Sequence, residues 1–163
     1  MKYTDYLGTI EDITIVSSAG CNLNCKYCFL ASTVNDYAAT LQKNTIQALK
    51  DGTYLNNVKK IFLKLNLPIA NVKKIDFWGQ EPTLTLEHVT NNLEDWLSVF
   101  TGLNTTFFST NGVAYSQKIV DYILKMDSLI DRPFQVGFQV SYDGSHSNEN
   151  NRRVQNQTIL NNI

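Results

Sequence analysis

The sequence predicts an α/β fold, a parallel sheet of about four strands with helices packed outside it. Two observations carry this reading. Short β-branched or aromatic stretches alternate with longer stretches whose apolar residues recur every three or four positions. Each strand-like stretch stops at a glycine, proline or asparagine, and the connection after it is long enough for a helical crossover, which returns the chain to a parallel neighbour. At 163 residues and 43% apolar, the chain has the size and composition of one domain, residues 1–163.

Residues 12–18 (Asp-Ile-Thr-Ile-Val-Ser-Ser) form the first predicted strand, followed by Gly20. From Leu41 to Leu65, the spacing of Leu55, Val58, Ile61, Phe62 and Leu65 predicts one or two helices, with Gly52 as the breaking point. Lys74 to Trp78 reads as the second strand, ended by Gly79 and Pro82. Thr85 is placed to cap a helix carrying Leu86, Val89, Leu93, Trp96, Leu97 and Phe100 on one face. Thr105 to Ser109 is the third strand, stopped by Asn111-Gly112. Ser116, Val120, Ile123 and Leu124 mark the next helix, and Phe134 to Ser141 the fourth strand. The tail from Ser145 is polar, with a short helix expected near Val154 to Ile163.

Charge and composition exclude several classes of function. Fourteen basic and 15 acidic side chains leave a net charge of -1, which is no footprint for nucleic acid or an anionic membrane. No apolar run approaches the roughly 18 residues of a membrane span. Met1 to Gly8 lacks the apolar core of a secretory signal, so a soluble, cytoplasmic protein is expected.

In parallel α/β folds, ligands collect beyond the C-terminal ends of the strands. The four predicted strands end in four chemically unusual loops. These are the cysteine window, Gly79-Gln80-Glu81-Pro82, Thr110-Asn111-Gly112 and Ser141-Tyr142-Asp143-Gly144. All three cysteines, Cys21, Cys25 and Cys28, fall in one eight-residue window. An odd, clustered set is a poor disulfide framework, and metal ligation is the better default. A structural zinc wants four ligands, commonly two Cys-x2-Cys knuckles, and only Cys25 and Cys28 make one. Three thiolates on a four-iron cubane leave one iron without a protein ligand, and an open metal position is where cofactor chemistry happens. A partial zinc site, or three structural thiols, is the plainer alternative.

Cys21, Cys25 and Cys28, with Tyr27 just before the last cysteine, resemble the signature loop of the radical S-adenosylmethionine enzymes. In that family the amino and carboxylate groups of S-adenosylmethionine chelate the unique iron. The reduced cluster cleaves the cofactor to methionine and a 5′-deoxyadenosyl radical, which abstracts hydrogen from substrate. Gly79, Gln80 and Glu81 resemble the family's Gly-Gly-Glu-Pro segment, Thr110 and Asn111 its segment after the third strand, and Ser141 and Asp143 its Ser-x-Asp-Gly. The family's arginine a dozen residues later corresponds to Arg152 or Arg153. The likeness is closest to the peptide- and sulfatase-maturing (SPASM-type) branch. It implies a partial (β/α)6 TIM-like barrel, a 4Fe–4S cluster on Cys21, Cys25 and Cys28, and S-adenosylmethionine as cofactor. It also implies a flavodoxin or ferredoxin as electron donor, and a peptide or protein as substrate.

The sequence departs from that pattern at Gln80, where the branch usually has glycine. It also ends after the fourth of the family's six strand–helix units, without the branch's further cysteines. The expectation is therefore a fragment, a short member or one part of a split enzyme; a cluster-binding module without turnover is the alternative function. In the fourth strand, Gln135, Gly137, Gln139 and Ser141 share one face, which reads as the polar lining of a lumen or as an exposed edge. His88 and His146 stand alone in sequence and are given no role. Glu81 reads either as a cofactor contact or as a surface carboxylate. Trp96 and Phe100 read as core, and Trp78 either as packing or as pocket lining.

Overall fold

The computed structural model describes residues 10–23, 25, 27, 28, 36–113 and 117–141. Four strands, β1 (Asp12–Ser18), β2 (Lys74–Gly79), β3 (Thr105–Thr110) and β4 (Gln135–Val140), form one sheet in the order β1-β2-β3-β4. Every neighbouring pair is parallel, as the alternation of strand and helix requires. The crossovers are α1 (Asp36–Lys50) and α2 (Thr53–Lys64), then α3 (Leu86–Asn91) and α4 (Leu93–Val99), then α5 (Gln117–Leu129). A sequential strand order with no reversal is the arrangement of a partial TIM-like barrel, not of a doubly wound sheet.

The helices bury one face of the sheet. Phe77, Phe108 and Phe138 are register partners on β2, β3 and β4, and their rings stack with centroids 4.7 and 5.2 Å apart. Cross-strand aromatic pairs of this kind stabilise a sheet and fix its register. Trp96 of α4 meets Phe77 edge-on at 5.6 Å, and Tyr122 of α5 meets Phe108 edge-on at 5.1 Å. Two helices are thereby docked on one aromatic ladder. Leu55 and Phe62, two turns apart on α2, with Leu49 of α1, extend the same core.

Most sequence expectations hold, and two are corrected. The helix expected to start at Thr85 is two helices. Asn92 at the junction donates its side-chain amide to Leu49 O at 2.8 Å and to His88 O at 3.0 Å, satisfying carbonyls where the chain turns. Thr85 is not a side-chain cap; its hydroxyl donates to Pro82 O at 2.9 Å. The helix marked by Val120, Ile123 and Leu124 is α5, which turns Ile119, Tyr122, Met126 and Leu129 to the core and leaves Ile123 and Leu124 exposed. The helix break at Gly52 is as expected, and Asp51 accepts the Thr53 N–H at 3.0 Å there. Ser116, His146 and the helix expected near Val154 lie outside the described residues.

No helix among the described residues is long and apolar enough to cross a membrane.

Candidate functional site

The C-terminal ends of the first three strands are bound together by a short list of hydrogen bonds. A register irregularity between Val16 and Ser18 turns the end of β1 toward β2. Ser18 O then accepts Gln80 N–H, and Gly20 O accepts Glu81 N–H, both at 3.0 Å. This close approach requires glycine at position 79. Its φ is 135°, and a Cβ there would stand 2.1 Å from Ser18 O. Gln42 of α1 supports the same turn, its side-chain oxygen accepting Ala19 N–H at 2.6 Å.

Glu81 sits at the centre. It is fully buried, which excludes the surface-carboxylate reading. Its Oε1 accepts the Thr83 N–H at 3.2 Å, the Thr83 hydroxyl, and the Thr110 hydroxyl at 2.7 Å. Its Oε2 accepts the Asn111 N–H at 2.7 Å. A buried carboxylate is tolerated when hydrogen bonds satisfy it, and here the donors come from its own turn and from the end of β3. Glu81 thus pins the loop after β2 to the loop after β3.

Asn111 carries the connection on to the cysteines. Its side-chain amide donates to Asn22 Oδ1 at 2.7 Å and to Cys21 Sγ at 3.6 Å. Cys21 Sγ also accepts Leu23 N–H at 3.4 Å, and Cys28 N–H donates to Cys25 O at 3.1 Å, closing a turn between two of the thiols. None of the three cysteines is in a disulfide, and Cys21 is exposed while Cys25 and Cys28 are partly so. Tyr27, between them, is half exposed. The fourth loop joins through Ser141, whose N–H donates to Thr110 O at 2.8 Å.

Of the residues singled out in the sequence, Gly79, Gln80, Glu81, Thr110, Asn111, Ser141 and the three cysteines therefore gather at one end of the sheet. Tyr27 lies on the same cysteine loop. Asp143, Arg152 and Arg153 lie outside the described residues. Thr83 and Gln42 belong to the same network and were not singled out, since a threonine after proline and a glutamine inside a helix carry no sequence signal of their own. The chemistry of the donor set suits an iron–sulfur cluster: three thiols on one loop, with an amide directed at one sulfur. Among the described residues, no three His, Cys, Asp or Glu side chains are drawn close enough to hold a metal ion.

His88 stays outside this network, partly buried in α3. Burial, with Lys50 nearby, holds its imidazole below the ordinary histidine range.

The three-thiol loop, the buried carboxylate and the amide bridge thus lie at the C-terminal edge of a parallel α/β sheet, where such folds collect their ligands. The chain is 28% identical over 153 residues to the radical SAM cyclopropyl synthase TigE of Paramaledivibacter caminithermalis (strain DSM 15212 / CIP 107654 / DViRD3). The match covers 86% of this chain and 31% of that protein, so the chain spans about a third of its relative's length. This similarity supports the radical S-adenosylmethionine superfamily. No protein-family profile and no solved structure matches the chain.

Proposed function

We propose that this chain is a radical S-adenosylmethionine enzyme core. Cys21, Cys25 and Cys28 hold a 4Fe–4S cluster, and the loops after β2, β3 and β4 hold the cofactor. The observation that carries the reading is the amide bridge from Asn111 to Cys21, which joins the thiol loop to the Glu81 network. When bound, the cluster and cofactor supply a one-electron reductive cleavage that yields a hydrogen-abstracting radical. The electron comes from an external donor, a flavodoxin or ferredoxin.

The chain's own residues bind and position. Cys21, Cys25 and Cys28 would hold the cluster through three thiolates, one fewer than a four-iron cluster takes in ferredoxins. Glu81 holds two loops at fixed separation, and Asn111 orients Cys21. The loop after β4 contributes Ser141 and Asp143, with Arg152 or Arg153 further on. The substrate proposed is a peptide or protein, as in the SPASM-type branch.

Anaerobic reconstitution tests this. Iron and sulfide should bind with the broad visible absorption of a cubane, and Cys21→Ala, Cys25→Ala and Cys28→Ala should each abolish it. A single alanine variant with a full complement of iron, or zinc bound in its place, overturns the assignment.

A further inference from the structure

The end of α2 is shaped by one asparagine. Asn66 takes the left-handed conformation at φ 53°, its N–H donates to Leu63 O at 3.1 Å, and Leu67 N–H reaches back to Phe62 O at 2.9 Å. This closure folds Leu67 back toward Phe62, and Pro68 carries the chain on to Ile69. Ser98 and Val99, at the end of α4, stand opposite. Between them lies a groove of about 320 Å³, with Phe62, Leu63, Leu67, Ile69 and Val99 supplying its apolar lining.

The rim combines an exposed aliphatic side chain with positive charge. Leu63 is 79% exposed. Lys59, also lining the groove, stands one turn before it on the same face of α2, and Lys60 and Lys64 form the next row. Lys73, Lys74, Lys118 and Lys125 each pair with a carboxylate, whereas Lys59, Lys60 and Lys64 form no ion pair among the described residues. The facing helix offers them only the exposed Asp95, since Glu94 is tied to Lys125. The groove therefore has an apolar floor under a positive rim.

We propose that this groove docks an acidic amphipathic helix of a partner protein, which seats an aliphatic side chain between α2 and α4 and sets its carboxylates against Lys59, Lys60 and Lys64. A second copy of the chain does not fit, because a symmetric pair would set the three lysines against the same three. The ends of the chain do not fit either. Residues 1–9 carry Lys2 and Asp5, and residues 142–163 carry Asp143, Glu149, Arg152 and Arg153, so neither brings an excess of acid. A concave floor receives a protruding side chain, which the flat surface of a membrane does not offer. The groove lies where the chain enters β2 and β3, at the opposite end of the sheet from the thiol loop. A partner held there leaves the thiol loop uncovered, and its docking does not depend on the function proposed above.

The probe is a fluorescein-labelled helical peptide with leucines at three- and four-residue steps and glutamates between them. One comparator has lysine for each glutamate, and another has serine for each leucine. Fluorescence anisotropy should show saturable binding of the first peptide that weakens as salt rises, with both comparators bound about tenfold or more weakly. Leu63→Ser, at an exposed position, should weaken the first peptide about tenfold, and so should Lys60→Glu combined with Lys64→Glu. If a variant does not fold, the three peptides compared on the unaltered protein decide alone. Equal binding of the serine comparator, binding that Leu63→Ser leaves unchanged, or no binding of any peptide overturns the proposal. Retention on phosphatidylserine vesicles without peptide binding would assign the face to a membrane, and overturns it too.

Discussion

Glu81 and Asn111, thirty positions apart in the chain, are joined by a 2.7 Å hydrogen bond from the Asn111 backbone N–H to Glu81 Oε2. Because Asn111 also donates its side-chain amide to Cys21 Sγ, a single residue couples the buried carboxylate to the thiol loop. The functional end of the sheet is therefore one network rather than three adjacent loops. Its parts are expected to fail together.

Glu81→Ala removes the acceptor of four donors, those of Thr83 N–H, Thr83 hydroxyl, Thr110 hydroxyl and Asn111 N–H. Each one left buried and unpaired costs about 1–3 kcal/mol. Urea unfolding followed by far-UV circular dichroism should show a clear loss of stability, with Glu81→Gln intermediate because it retains one acceptor oxygen. A surface carboxylate would lose less than about 0.5 kcal/mol on the same change.

Asn111→Asp tests the other half of the bridge. A carboxylate cannot donate to Cys21 Sγ, and it sets an acceptor against Asn22 Oδ1. Iron affinity after anaerobic reconstitution should fall about tenfold, the low end of what losing a hydrogen bond to a metal ligand costs. Asn111→Ala should lose less, since it adds no repulsion. Equal iron binding by all three proteins would show that the amide does not act on the ligand.

Much of the architecture was legible because the local signals agree with each other. β-branched stretches ended by glycine gave four strands, and the even-numbered positions of β4 from Phe134 to Val140 carry its apolar side. The helix after β2 was misread for a specific reason. Leu86, Val89, Leu93, Trp96 and Phe100 keep helical spacing straight across Asn92, and the break comes from the bond between that side chain and Leu49 O, a tertiary contact. In α5 the central core residue is Tyr122, which has no sequence signal because its hydroxyl finds Thr106 only in the folded chain. The site loops were legible as motifs at strand ends. The Asn111–Cys21 contact spans ninety positions and has no sequence signature.

Gly79→Ala should damage the site through the backbone. The residue would need a φ of 135°, and its methyl carbon would overlap Ser18 O. Strain and overpacking together should cost about 3 kcal/mol or more. The expected result is a lowered urea midpoint together with lost iron binding, because β1 and β2 can no longer hold the turn that carries Gly20 and Glu81. Unchanged stability would mean that the two strand ends separate without cost.

Tyr122 gives a prediction with a defined sign on the pH axis. Its ring is fully buried, and its hydroxyl donates to Thr106 Oγ1 at 2.9 Å. Burial pushes the phenol far above its ordinary value near 10, and the bond to Thr106 opposes this only weakly. In the unfolded chain the phenol ionises near pH 10, while in the folded protein it keeps its proton. The resulting stability is whole below the unfolded pKa and declines as pH rises above it, by about 1.4 kcal/mol per pH unit, until the folded pKa is reached. Tyr54, also raised by burial, adds to the same decline. Tyr122→Phe should cost about 1 kcal/mol at neutral pH, by removing the partner of Thr106. In exchange it should flatten the alkaline decline. Urea midpoints for both proteins between about pH 8 and pH 11 provide the measurement. Parallel curves would show that the Tyr122 phenol ionises as readily in the folded protein as in the unfolded chain.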